Sequence, residues 1–132
     1  MEAMESLAQE VNMPLIVTEG YELIEYFRQV VGHEFQRCQY CFRLRLTKTA
    51  EVARQMGFNA FTTTLLISPQ QKHGLILEVG NELAKEKGLD FLYADLRKRY
   101  SDSRRETKGL NLYRQQYCGC VYSEWERYAN IE

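Results

Sequence analysis

Two periods of apolar residues run through this chain, and the switches between them mark its elements. Residues 2–12 have helical spacing and lead into Leu15-Ile16-Val17, a short apolar run of strand type. In YELIEYFRQVV (21–31), Leu23, Ile24, Phe27, Val30 and Val31 recur on one helical face, and Gly32 is placed to stop the helix. A second helix is predicted from Arg37, with Leu46, Ala50, Ala53 and Met56 on its apolar face and Gly57 closing it. NAFTTTLLI (59–67) is rich in β-branched and aromatic residues and reads as a buried strand. Ser68 then resembles an N-cap, with Pro69 at the first helical position and Gln71 completing a capping box. That helix runs through Ile76, Val79, Leu83 and Ala84 to Gly88, and LDFLYADL (89–96) reads as another strand. Beyond it the pattern fades.

This alternation predicts an α/β fold, a three-layer arrangement with a mostly parallel sheet flanked by helices. With no linker, repeat or low-complexity stretch, residues 1–132 are expected to form a single domain. In open sheets of this kind ligands bind beyond the carboxyl ends of the strands. Thr62-Thr63-Thr64 and Asp95 are therefore expected to share a crevice.

Composition narrows the picture. The chain is 45% hydrophobic and 27% charged, as a core-forming globular protein is, and it holds no apolar run long enough to span a membrane. Its acidic N-terminus is unlike a targeting peptide, so a cytoplasmic location is expected. The net charge of −1 conceals an uneven distribution, with seven Glu and one Arg in residues 1–36. Residues 37–54 balance at +4 and residues 97–114 at +5, and both basic stretches adjoin cysteines. Two local basic segments suit either solvated helix faces or one positive site for a phosphate-bearing partner.

The cysteines carry the strongest chemical signal. Cys38 and Cys41 form a CxxC; in the first turn of a helix they share a face, and the helix N-terminus favours their thiolates. Cys118 and Cys120 form a CxC whose Gly119 permits a tight turn, so that two sulfurs can converge on one metal centre. Reducing cytoplasm disfavours disulfides, and thiolates select zinc or iron-sulfur clusters. A structural zinc, a redox cluster and a simple dithiol all remain open on spacing alone. Arg37, Arg43, Arg45, Tyr113, Arg114, Gln115 and Tyr117 crowd these cysteines, more than a structural zinc requires, and point to a substrate. Arginine pairs with phosphate and stacks on bases, and tyrosine offers a ring face and a hydroxyl, although the rings could equally cover apolar surface. Asp95, just before Arg97-Lys98-Arg99, suits a salt bridge first, then a hard metal ligand or a proton donor. His33 and His73 read as solvated or helix-end histidines.

Four blocks in order, RCQYCFRLRLTKTAEVA (37–53), FTTTLLISP (61–69), DLR (95–97) and LYRQQYCGCVYS (112–123), resemble the QueH type of epoxyqueuosine reductase. The resemblance implies an enzyme of the last step of queuosine biosynthesis, reducing epoxyqueuosine to queuosine at the wobble position of tRNA. It also implies a Rossmann-like fold similar to the adenine-nucleotide hydrolase-like group, a 4Fe-4S cluster and an adjacent mononuclear iron. Members of that family begin with a further strand carrying a Cys-Cys pair; the chain starts after it, so an N-terminally truncated domain with an exposed sheet edge is expected. By motif match Cys38, Cys41, Cys118 and Cys120 are the metal ligands, with Asp95 as ligand or acid. Arg37, Arg45, Arg97 and Arg114 are expected at anticodon phosphates, with Tyr113, Gln115 and Tyr117 at the modified base. With no GxGxxG fingerprint, electrons are expected from an external donor. The alternative is a non-catalytic RNA-binding module with a structural zinc on the same cysteines; an adenylating enzyme lacks its phosphate-binding glycine loop here.

Overall fold

The computed structural model describes residues 1–20 and 22–129. The chain divides into two compact units, residues 20–98 and residues 1–19 with 99–132.

In the first unit, α2 (Leu23–Val30) is followed by a 3-10 turn and then by α3 (Arg37–Gln55). Gly32, at φ +86°, stops the chain after α2 as its position suggested, while Tyr21 lies outside the described residues. Phe42, Leu46, Ala50 and Ala53 recur on one face of α3 and are buried. They pack against Ile76, Val79, Leu83 and Ala84 of α4 (His73–Lys87), with Phe61 and Leu66 completing the cluster. Met56, expected on the same face, is exposed because the helix ends one residue before it. Arg43 reaches across to Glu82 (3.1 Å) and Glu86 (2.8 Å), two exposed bridges worth at most about 1 kcal/mol each. One arginine beside the CxxC is thereby committed to holding two helices together.

Left-handed Gly88 (φ +68°) closes α4, and the Leu89 N–H returns to the Ala84 carbonyl at 2.9 Å, turning the chain into the next strand. The two strands, β1 (Ala60–Phe61) and β2 (Asp90–Phe91), pair in parallel, Ala60 opposite Asp90 and Phe61 opposite Phe91. The fold is thus mixed α/β, with a parallel sheet of two strands among the described residues.

Both strands are much shorter than the sequence suggests. After Phe61 the Thr62 hydroxyl donates to the Leu92 carbonyl (2.7 Å), and Thr63 Oγ1 accepts from the Leu65 N–H, capping a 3-10 turn over Thr64–Ile67. Side-chain bonds thus replace the ladder. The expected cap of α4 is also displaced. Ser68 Oγ accepts from the Gln70 N–H in a local turn, and the helix begins only at His73. Leu15-Ile16-Val17 is exposed coil and not a strand, because no strand among the described residues pairs with it.

Gly80 stands where α4 crosses β2. A Cβ there would fall 2.6 Å from Phe91 Cγ and closer still to the ring edge, and that ring already lies 5.3 Å from the Phe61 ring. Gly80→Ala should therefore destabilise by about 1–3 kcal/mol, although alanine is the better helix former. A urea midpoint at or above that of the parent chain would show the contact to be slack.

The second unit contains α1 (Glu2–Glu10), α5 (Tyr100–Lys108) and α6 (Val121–Tyr128). The last two are helices that the fading pattern did not announce. No helix among the described residues is long and apolar enough to cross a membrane.

Candidate metal centre and substrate crevice

Cys38 and Cys41 are the second and fifth residues of α3, so that at i and i+3 they share one face at the start of the helix. Both are half-buried, and Cys38 packs against the core below Phe42. The N-cap residue Gln36 makes no side-chain cap, and the positive end of this 19-residue helix favours the thiolate form of a cysteine near it.

The CxC is built at another helix N-terminus. Cys120 is the N-cap of α6, its sulfur accepting from the Ser123 N–H at 3.3 Å, and Ser123 Oγ accepts in return from the Cys118 N–H at 3.2 Å. Gly119 between them adopts φ +104°, a conformation that an L side chain rarely tolerates. The result places the two sulfurs 3.7 Å apart, too far for a disulfide. Two thiolates on one tetrahedral ion, with metal–sulfur bonds of about 2.3 Å, lie about 3.8 Å apart. The donor set and the spacing of this pair therefore fit a thiolate-bound metal. Among the described residues, no three of His, Cys, Asp and Glu gather into a group that could hold a metal ion; the CxxC belongs to the first unit and the CxC to the second.

α3 leads directly into β1, and α4 joins β1 to β2, so both helices run back along the strands and begin on the side where the strands end. The Thr62–Thr63 turn and residues 93–97 thus follow the carboxyl ends of the two strands, and the CxxC stands at the helix end directed to that side. Here Asp95 receives a forked bond from Arg97, Nε at 2.8 Å and a terminal nitrogen at 2.6 Å, and also the Arg97 backbone N–H. These bonds hold the Asp95 carboxyl far below the usual carboxylate range. It is ionised at neutral pH and has no proton to give, and Arg97 has its carboxylate partner within the chain. Arg37 is the half-buried first residue of α3, and Arg45 is exposed one helical stretch further on.

The loop before the CxC is held from within. Arg114 donates to the Arg104 carbonyl of α5 at 3.0 Å, and Gln115 donates to the Tyr117 carbonyl at 2.9 Å. The Tyr117 ring packs edge-on against Tyr128 of α6 at 6.1 Å, and loss of water, aided by Glu124, raises its phenol above the ordinary value. Tyr113, 74% exposed, keeps its ring face open to a ligand.

Two residues were not legible as functional from the sequence. Ser123 ties both cysteines together, and its Cys-x-x-Ser spacing is that of a helix cap with cysteine in the capping position. His73, expected to be solvated or at a helix end, does begin α4 but is only 7% exposed. Its Nε2 lies 3.2 Å from the Ser68 carbonyl and its Nδ1 3.4 Å from the Tyr93 hydroxyl.

A family model described as epoxyqueuosine reductase QueH matches residues 1–126. A protein of Dehalococcoides mccartyi named epoxyqueuosine reductase QueH is 52% identical over 129 residues, 98% of this chain and 71% of that protein. A Thermotoga maritima protein of the same name is 34% identical over 113 residues, 84% of this chain and 58% of its own length. A third from Streptococcus pyogenes is 40% identical over 106 residues, 75% of this chain and 42% of its own. The chain spans between two fifths and three quarters of these relatives. It belongs to the epoxyqueuosine reductase QueH family.

Proposed function

We propose that this chain carries an epoxyqueuosine reductase activity, converting epoxyqueuosine to queuosine at the wobble position of tRNA. The observation that carries the reading is the pair of cysteine motifs, each built on a helix N-terminus, in a chain of this family. Cys38, Cys41, Cys118 and Cys120 would be the ligands of a 4Fe-4S cluster and an adjacent iron. When bound, such a centre supplies electrons one at a time and a Lewis acid for the epoxide oxygen.

The chain's own residues supply recognition. Tyr113 offers a ring on which a splayed anticodon base can stack. Exposed Arg45 and the α3 N-terminus at Arg37 suit phosphates, whereas Arg97 and Arg114, each with a partner in the chain, fix the backbone around Asp95 and before the CxC. Tyr117 and Gln115 brace the same loop. Asp95, ionised and paired, serves as an acceptor for the ligand; the protons that deoxygenation needs come from elsewhere, such as bound water. The helix-connected parallel pair β1–β2, with α3 and α4 upon it, is a fragment suited to a three-layer, mostly parallel Rossmann-like sheet. A cytoplasmic location and an external electron donor go with this reading.

The test is anaerobic purification with iron, zinc and acid-labile sulfide analysis, followed by reaction of the chemically reduced protein with epoxyqueuosine-containing tRNA. Iron and sulfide in the protein and queuosine in the tRNA digest by mass spectrometry are expected. Stoichiometric zinc without sulfide would instead identify a structural zinc module.

A further inference from the structure

The strongest unassigned feature beyond the strand ends is the buried His73 with its partners. A carbonyl oxygen only accepts, so the ring nitrogen facing Ser68, Nε2, carries a hydrogen. In the neutral ring Nδ1 is then a lone pair, and the Tyr93 hydroxyl donates to it. The two rings meet edge to face with centroids 6.2 Å apart, which further fixes the tyrosine. Tyr93 itself is 40% exposed, at the carboxyl end of β2 and two residues before Asp95. A surface tyrosine in a merely structural role needs no buried histidine behind its hydroxyl. Spending the phenol hydrogen inward leaves the oxygen of this part-exposed phenol with lone pairs that can accept, a hydrogen-bond acceptor of fixed position.

We propose that Tyr93 contacts the modified nucleoside through this oxygen, accepting from one of its O–H or N–H groups, and that His73 is the positioning residue that orients it. The inference rests on the functional reading above, and it adds a recognition element that neither the cysteine motifs nor the basic segments contain. It accounts for a histidine held at 7% exposure in an otherwise apolar core. It also places a selective contact beside the Asp95–Arg97 pair, where a ligand lying beyond the strand ends would meet it.

The test uses the full chain and compares binding of tRNA carrying epoxyqueuosine with binding of the same tRNA carrying guanosine, by fluorescence anisotropy. Tyr93→Phe keeps the ring and removes the oxygen. It is expected to weaken binding of the modified tRNA about tenfold, leaving the guanosine tRNA and the thermal midpoint nearly unchanged. His73→Asn, whose amide oxygen can stand in for Nδ1, should retain most of the discrimination, and His73→Leu should lose it. If His73→Leu fails to fold, Tyr93→Phe decides alone. Discrimination in Tyr93→Phe equal to that of the parent, or equal weakening for both tRNAs, overturns the proposal. A parent chain that does not distinguish the two tRNAs overturns the functional reading itself.

Discussion

Leu46→Ala should cost about 3 kcal/mol and lower the thermal midpoint by more than about 10 °C. Leu46 is 1% exposed and lies at the centre of the α3–α4 seam, with Phe42 and Ala50 on its own helix and Ile76, Val79 and Leu83 in the facing cluster. Its truncation removes buried methyl groups and leaves a void that neighbours on two rigid helices can fill only in part. Chemical unfolding should show a lower midpoint with an unchanged slope, since the surface exposed on unfolding is the same. Ile24→Ala is the control. Ile24 is 68% exposed on α2, and its truncation should stay within about 0.5 kcal/mol of the parent. Equal losses in the two variants would mean that the α3–α4 seam is not what stabilises this unit.

That seam was legible because its chemistry is local. Leu46, Ala50 and Ala53, and then Ile76, Val79, Leu83 and Ala84, repeat at the helical period, and the glycines at 57 and 88 both adopt the left-handed conformation that ends a helix. What failed were the places where side chains compete with the backbone. Ser68-Pro69-Gln70-Gln71 has the residues of a helix start, yet Ser68 Oγ closes a turn onto Gln70 and its carbonyl is taken by His73, so the helix begins five residues later than its apparent cap. Thr62 and Thr63 look like strand material, but their hydroxyls end the strand. Leu15-Ile16-Val17 has strand composition, and strand formation depends on a pairing partner that composition does not encode.

The candidate site divides along the same line. The placement of Cys38 and Cys41 on one face at the start of a helix and the turn at Gly119 followed from spacing and from the freedom of glycine. The pairing of His73 could not, because its partner Tyr93 lies twenty residues away, in the coil after β2. Nor could the commitment of Arg43 to Glu82 and Glu86 be separated in sequence from a cation awaiting phosphate, whereas the salt bridge expected first of Asp95 is the one that Arg97 makes. A basic run states only that charge is present. Which of its members remain available is decided by the acids that folding brings beside them.

Cys120→Ser should abolish iron loading at the CxC and lower turnover of epoxyqueuosine roughly 100-fold or more, while leaving the fold intact. The separation is possible because, on the proposed reading, Cys120 does two jobs. As the N-cap of α6 it accepts from the Ser123 N–H, and serine performs that task at least as well. In the proposed metal site it would be a soft ligand opposite Cys118, and a hydroxyl, which is far less acidic and harder, would not replace it. Cys120→Ala removes both functions, so it should lose metal and also about 1 kcal/mol of helix capping. Circular dichroism melts and iron and sulfide content on anaerobically prepared protein therefore give a two-by-two pattern: serine stable but metal-poor, alanine less stable and metal-poor. A serine variant that retains the parent's iron and sulfide would make Cys120 a capping residue alone. Gly119→Ala complements the pair, since it leaves both thiols in the chain but strains the +104° turn that brings their sulfurs to 3.7 Å. Its metal affinity should fall with no ligand removed, which tests whether the convergence of the two sulfurs, rather than the mere presence of two cysteines, is what the CxC provides.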